Sequence, residues 1–193
     1  MRHYPKWVMN HRPSFILRLD RYFLEREHRS FVKMVSDLNP KRIMEIGLWK
    51  GYGTERILKA LDGNHRDVEY YGFDIVPAAL EYSQTVLERM RIKKYHLFLG
   101  DTKTTLPGLV DSLPKMDFIY IDGDHDYKTA ISDWENSKKL IHDGSVVIFD
   151  DAHWGDVKKV VSEIKGFDVQ FLKSTRFYLT HLPQHTVKAV VKI

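Results

Sequence analysis

The chain has 193 residues, 43% hydrophobic and 29% charged, with a formal net charge of +4 and no cysteine. That length and balance describe one globular domain with a real apolar core, and they exclude a disordered chain. The missing cysteines exclude a disulfide framework and thiol catalysis. No run of 18 apolar residues offers a membrane span, so no membrane partner is expected. The first residues lack the apolar core of a signal peptide, which makes a cytoplasmic location the expectation. Mild basicity permits an anionic partner without arguing for one.

In chain order, Met1 to Pro13 mixes basic and aromatic residues with two prolines and reads as irregular. Phe15, Leu19, Phe23, Phe31, Met34, Val35 and Leu38 then fall near helical spacing, giving a basic, aromatic and helical extension over 1–38. Asn39-Pro40 stops it, because a residue before proline is pushed out of the α region. From 39 to 193 a sheet core is expected, within one domain spanning 1–193. Strands are predicted at Lys41–Ile46, Val68–Phe73, Tyr95–Leu99, Phe118–Ile121 and Ser145–Phe149. Helices are predicted from Thr54 to Leu61, over Pro77–Met90, over Tyr127–Ile141 and near Val157–Ile164, with Asp62-Gly63-Asn64 as a turn. Two last strands, Phe167–Leu172 and Thr186–Ile193, have no helix between them and must be antiparallel neighbours. The fold class is therefore α/β, a mostly parallel sheet closed by an antiparallel C-terminal hairpin.

Residues 43–54, Ile-Met-Glu-Ile-Gly-Leu-Trp-Lys-Gly-Tyr-Gly-Thr, form the most informative stretch. A strand ending in Glu45, a turn holding Gly47, Gly51 and Gly53, and a helix together make the crevice where α/β sheets bind nucleotide-like ligands. The glycine spacing fits neither the dinucleotide fingerprint nor the P-loop. Glycines allow close backbone approach to a ligand, and the Glu45 carboxylate suits a cationic one. The bland reading is an ordinary glycine turn with Glu45 at a solvated strand end.

Every later strand also ends in an acid: Asp74, Asp101, Asp122, and the pair Asp150-Asp151. Asp74 lies 21 positions beyond Gly53, the distance at which an acid accepts hydrogen bonds from ribose hydroxyls; its alternative is a carboxylate at a helix N-terminus. Asp101 and Thr102 are candidates to cap the following helix. The fourth and fifth strands are expected side by side, about 4.8 Å apart, which gathers Asp122, Asp150 and Asp151. Carboxylates that close repel, so one takes up a proton or a hard cation such as Mg²⁺ joins them.

Glu-x-Gly-x-x-x-Gly-x-Gly resembles the first motif of class I S-adenosylmethionine-dependent methyltransferases. The resemblance covers roughly residues 40–193 and implies a Rossmann-like, doubly wound, seven-stranded sheet. It also implies S-adenosylmethionine as cofactor, bound by Glu45, Gly47, Gly51, Gly53, Asp74, Asp101, Thr102 and Asp122, with Asp101 and Thr102 at the adenine. Gly53 stands where many relatives of this subgroup carry serine, a change expected to be permissive. Asp122 and Asp150-Asp151-Ala-His-Trp154 look like the metal sites of small-molecule O-methyltransferases of the sugar and catechol kind. That likeness implies Mg²⁺ on Asp122, Asp150 and Asp151 and a small hydroxylated acceptor. The catalytic candidates are Asp122 and, as bases, His153 and His125, each alternatively a structural histidine. Trp7, Tyr22, Trp49 and Trp154 are candidates for an aromatic wall.

Two other classes compete. The basic amino terminus suits a nucleic-acid-binding or RNA ribose-methylating protein, but the fifth strand ends in acids where a Lys-Asp-Lys-Glu tetrad wants a lysine. A nicotinamide-dependent oxidoreductase shares the crevice and Asp74 but lacks the glycine fingerprint. The oligomeric state is open, a homodimer included.

Overall fold

The computed structural model describes residues 30–61, 67–177 and 183–193, without the side chains of 173–187. Expectations for the segment before residue 30, including Trp7 and Tyr22, and for the 62–64 turn lie outside the described residues.

Seven strands form one sheet: β1 (Arg42–Ile46), β2 (Glu69–Asp74), β3 (Lys94–Leu99), β4 (Phe118–Ile121), β5 (Val146–Phe149), β6 (Asp168–Phe177) and β7 (Pro183–Lys192). Their order is β3-β2-β1-β4-β5-β7-β6. The first five are parallel, while β7 runs antiparallel to both β5 and β6. Every residue of β4 and β5 is buried, as expected of central parallel strands covered on both faces.

Helices cover both faces. On one, α1 (30–38), α2 (Tyr52–Ala60) and α3 (Pro77–Arg89) bury Phe31, Val35, Ile57, Leu58 and Leu87 against Ile43, Tyr70 and Ile148. On the other, α4 (Thr102–Leu109), α5 (Tyr127–Ser137) and α6 (Gly155–Glu163) bury Leu106, Trp134 and Val160 against Met44, Ile119 and Val147. Local chemistry starts and stops these helices. Asp126 caps α5, accepting from the Lys128 and Thr129 amides at 2.9 and 3.2 Å. Asn39, at φ 45°, closes α1 before Pro40.

Two boundaries depart from expectation. Helix α5 stops at Ser137 and tightens into a 3₁₀ turn, Lys138–Leu140, which buries Leu140 rather than Ile141. Strands β6 and β7 are longer than predicted, pairing from Asp168↔Lys192 to Phe177↔Pro183. A hairpin ladder needs no apolar pattern, so its polar outer half carries no strand signal. No helix among the described residues is long and apolar enough to cross a membrane.

The site depends on one close approach. Gly47 adopts φ +87°, and a Cβ there would lie 2.1 Å from the Asp122 carbonyl oxygen. The turn after β1 thus packs directly on the end of β4. Gly47→Ala faces both left-handed strain and a backbone clash, and should lose about 3 kcal/mol or more of stability in urea unfolding.

Candidate active site

The turn between β1 and α2 is held from both sides. Gly51, at φ 71°, is the N-cap residue of α2. In front, the Asp74 carboxylate accepts the Leu48 and Trp49 amides at 2.8 and 3.0 Å, and the Val76 amide at 2.8 Å. Asp74 therefore stands at the crevice and ties β2 to the turn.

Behind the turn lies Glu45, with no exposed surface. Its Oε2 accepts from Thr54 Oγ1 at 2.7 Å and from the Tyr70 hydroxyl, while Oε1 has no hydrogen-bond partner. Burial pushes its carboxyl well above the usual range, against the hydrogen bond from Thr54 and with help from Asp122. Glu45 supports the turn from behind, and its burial favours the neutral carboxyl. A Cβ at Gly53 would lie 2.2 Å from Glu45 Oε1, the far end of a side chain that would shift to admit a serine.

Asp101 is the N-cap of α4, accepting from the Lys103 amide at 2.9 Å, and Lys103 Nζ lies 3.1 Å from its Oδ2. That backbone bond and the Lys103 charge hold Asp101 below the usual carboxylate range, despite some desolvation. Thr102 is buried as the first residue of α4. Ile75, Val76, Leu99 and Trp49 are exposed large apolar residues on the turn, after β2 and at the end of β3.

At the ends of β4 and β5 a small cavity is lined by Asp122, Gly123, His125, Phe149 and Asp150. Asp122, Asp150 and the neighbouring Asp151 have different partners. Asp150 Oδ2 accepts from the Tyr120 hydroxyl at 2.5 Å, and Oδ1 accepts from Lys188 Nζ and from the Asp151 amide. Burial raises Asp150, but Lys188 and Tyr120 outweigh it and hold the carboxyl below its ordinary range. Asp122 is pushed up, first by desolvation and then by Asp150. Asp151 turns towards the histidines: its Oδ2 is 3.1 Å from His125 Nε2, and its Oδ1 is 3.9 Å from His153 Nδ1. Its φ of 49° lies in the left-handed region, which aspartate enters more readily than most residues.

The expected Mg²⁺ set is therefore not assembled. Among the described residues no group of three or more His, Asp or Glu side chains is placed to hold a metal ion. The repulsion expected among the acids is relieved instead by the Lys188 charge on Asp150 and by the raised affinity of Asp122 for a proton. Of the two histidines, His125 sits within hydrogen-bond distance of Asp151 and 5.1 Å from the Trp154 ring, centroid to centroid. His153 is farther from Asp151. Of the expected aromatic wall, Trp154 is partly exposed beside His125, and Trp49 is 60% exposed, edge-on to Tyr52.

The sequence profile of a methyltransferase domain family matches residues 44–152, from the middle of β1 to just past β5. The chain belongs to this methyltransferase domain family. Similar solved structures include the O-methyltransferase of Bacillus cereus in complex with SAH, 17% identical over 86% of this chain and 81% of that one, TM-score 0.67. The O-methyltransferase TomG of Streptomyces achromogenes, involved in tomaymycin synthesis and solved with SAM, is 16% identical over 91% and 96%, TM-score 0.67. Precorrin-6y C5,15-methyltransferase of Geobacter metallireducens is 13% identical over 84% and 85%, TM-score 0.62. A comparison with curated protein sequences finds no match. At these identities the likeness carries the fold and leaves the methyl acceptor open.

In this methyltransferase domain, sequence reasoning missed Lys188, Tyr120 and Arg56. Tyr120 reads as one apolar residue of β4, and Lys188 lies 38 positions beyond its partner Asp150. Arg56 sits on the polar side of a helix pattern, yet its guanidinium covers the Phe31 ring at 4.6 Å. None of the three belongs to a local motif.

Glu45 yields a pH prediction. Its folded-state pKa is raised above 4.5, so the folded state holds a proton that the unfolded chain releases. Stability from this group is fully present below the unfolded value and is lost as pH rises towards the folded one. Glu45→Gln mimics the protonated form, so its stability relative to wild type should grow with pH by up to about 1.4 kcal/mol per unit. Urea unfolding of both proteins from about pH 5 to about pH 8 measures this.

Proposed function

We propose that this chain transfers a methyl group from S-adenosylmethionine to the hydroxyl of a small molecule. The observation that carries the reading is the pairing of His125 with Asp151 at the end of the strand on which the glycine turn packs. A base beside the cofactor crevice is what transfer to a hydroxyl needs and transfer to a carbon nucleophile need not supply. Relatives in fold that are O-methyltransferases solved with SAM or SAH support it.

The residues present fit such a cofactor. Gly47 and Gly51 leave bare backbone at φ values closed to most side chains, and Asp74 keeps about one of its four lone-pair sites beside its three amide bonds. That site suits a ribose hydroxyl. Asp101 and Thr102, at the start of α4, are proposed to flank the base. When bound, the cofactor supplies a methyl group already activated as a sulfonium.

The chain's own task is then alignment and proton removal. His125 accepts the proton of the acceptor hydroxyl as the oxygen attacks the methyl carbon. The oxygen–carbon bond forms, the sulfur–carbon bond breaks, and S-adenosylhomocysteine leaves. Asp151, within hydrogen-bond distance of His125, holds the ring orientation. His153 is a second base on the same carboxylate. Asp122, within the cavity, is placed to receive a polar group of the acceptor. The acids and Lys188 do not fit a Mg²⁺ ion, and no step runs through one.

Thermal unfolding with S-adenosylhomocysteine should raise the melting temperature, and no shift with either cofactor form would overturn the reading. Across a panel of hydroxylated acceptors, His125→Ala should lower kcat by about 10²-fold or more and leave S-adenosylhomocysteine affinity unchanged. Full turnover in His125→Ala would remove His125 from the base role.

A further inference from the structure

We infer that Lys188 is a built-in cation which occupies the electrostatic position of a divalent metal at the ends of β4 and β5, and so closes this site to metal ions. Antiparallel pairing of β5 with β7 ends with Phe149 opposite Ala189, and Asp150 and Lys188 are the residues just beyond that pair. The two side chains are 12% and 4% exposed. Lys188 Nζ donates to Asp150 Oδ1 and, at 3.1 Å, contacts the Tyr120 hydroxyl. Tyr120 in turn donates to Asp150 Oδ2, so both carboxylate oxygens are engaged.

A hard divalent ion needs several free oxygens in its first shell. Asp150 keeps only about one of its four lone-pair sites beside three hydrogen bonds, and Asp151 is aimed at His125. The other acids lining the cavity are Asp122 and Asp124. An incoming ion would also meet the Lys188 ammonium at a few ångströms in a poorly solvated cleft, where like charges repel strongly. The same lysine removes the need for a metal, because it balances Asp150 directly. Truncating it would leave a buried carboxylate without its counter-charge, next to Asp122, and that is the condition in which a metal binds.

The inference concerns the site of the proposed reaction but not its chemistry, and a divalent-ion titration tests it without any acceptor. Mn²⁺ is titrated calorimetrically into the full chain, wild type and Lys188→Met, with melting temperatures recorded in parallel. Wild type should show no Mn²⁺ heat and no change of melting temperature with EDTA. Lys188→Met should melt lower, bind Mn²⁺ at least about tenfold more tightly than wild type, and lose that binding when Asp150→Asn is added. Lys188→Arg, which keeps the charge, should stay insensitive to Mn²⁺. Mn²⁺ binding by wild type that Asp150→Asn abolishes would overturn the inference, and this arm stands even if Lys188→Met does not fold. A folded Lys188→Met with no gain in Mn²⁺ affinity would overturn it as well. Stabilisation by S-adenosylhomocysteine, measured on the same samples, reports separately on the cofactor reading.

Discussion

Parallel strands β4 and β5 run side by side, so their carboxyl ends force Asp122, Asp150 and Asp151 into one poorly solvated cleft. Three charges there would repel by several kcal/mol if left uncompensated. The fold answers each acid differently. Asp150 receives Lys188 from β7 and the Tyr120 hydroxyl from β4. Asp122, without a cation of its own, has its proton affinity raised by desolvation and by Asp150. Asp151, on a left-handed backbone, lies within hydrogen-bond distance of His125. One crowding problem thus leaves an acid paired with a lysine, an acid whose proton affinity is raised and an acid–histidine pair at the ends of two neighbouring strands.

The other half of the crevice is made rigid by polar groups bonded to the protein's own side chains and backbone amides. Glu45 sits behind the glycine turn, bonded to Thr54 and Tyr70, and Asp74 holds the turn's amides from the front. Gly47 then seats the turn against the backbone of Asp122. The turn after β1 and the end of β4 therefore share one close backbone contact. Geometry of this kind exists before a ligand arrives, which is the condition under which alignment lowers a barrier.

The order of strands and helices was legible because it follows from periodicity and punctuation. Phe118–Ile121 is continuous apolar sequence and becomes a strand buried on both faces; Pro40, Pro77 and Asp126 mark helix ends through their own backbone chemistry. The acids at the strand ends were legible too, since a strand's last residue must lie at the sheet edge. Their partners were not. Glu45, read as facing a cation, faces inward, because the side of a strand on which a residue points depends on what its neighbours cover. The pairing of Asp150 was hidden for the same reason: nothing near Asp150 in the chain announces Lys188.

By itself the sequence determined the alternating architecture, the glycine turn, and the gathering of acids at one sheet edge, all consequences of local backbone preference and side-chain period. Only the tertiary structure decided how those acids are compensated. Charge balance in a buried cleft depends on which side chains the folded sheet brings within a few ångströms. The deciding one here arrives on a strand that pairs with β5 only after the chain has turned back on itself.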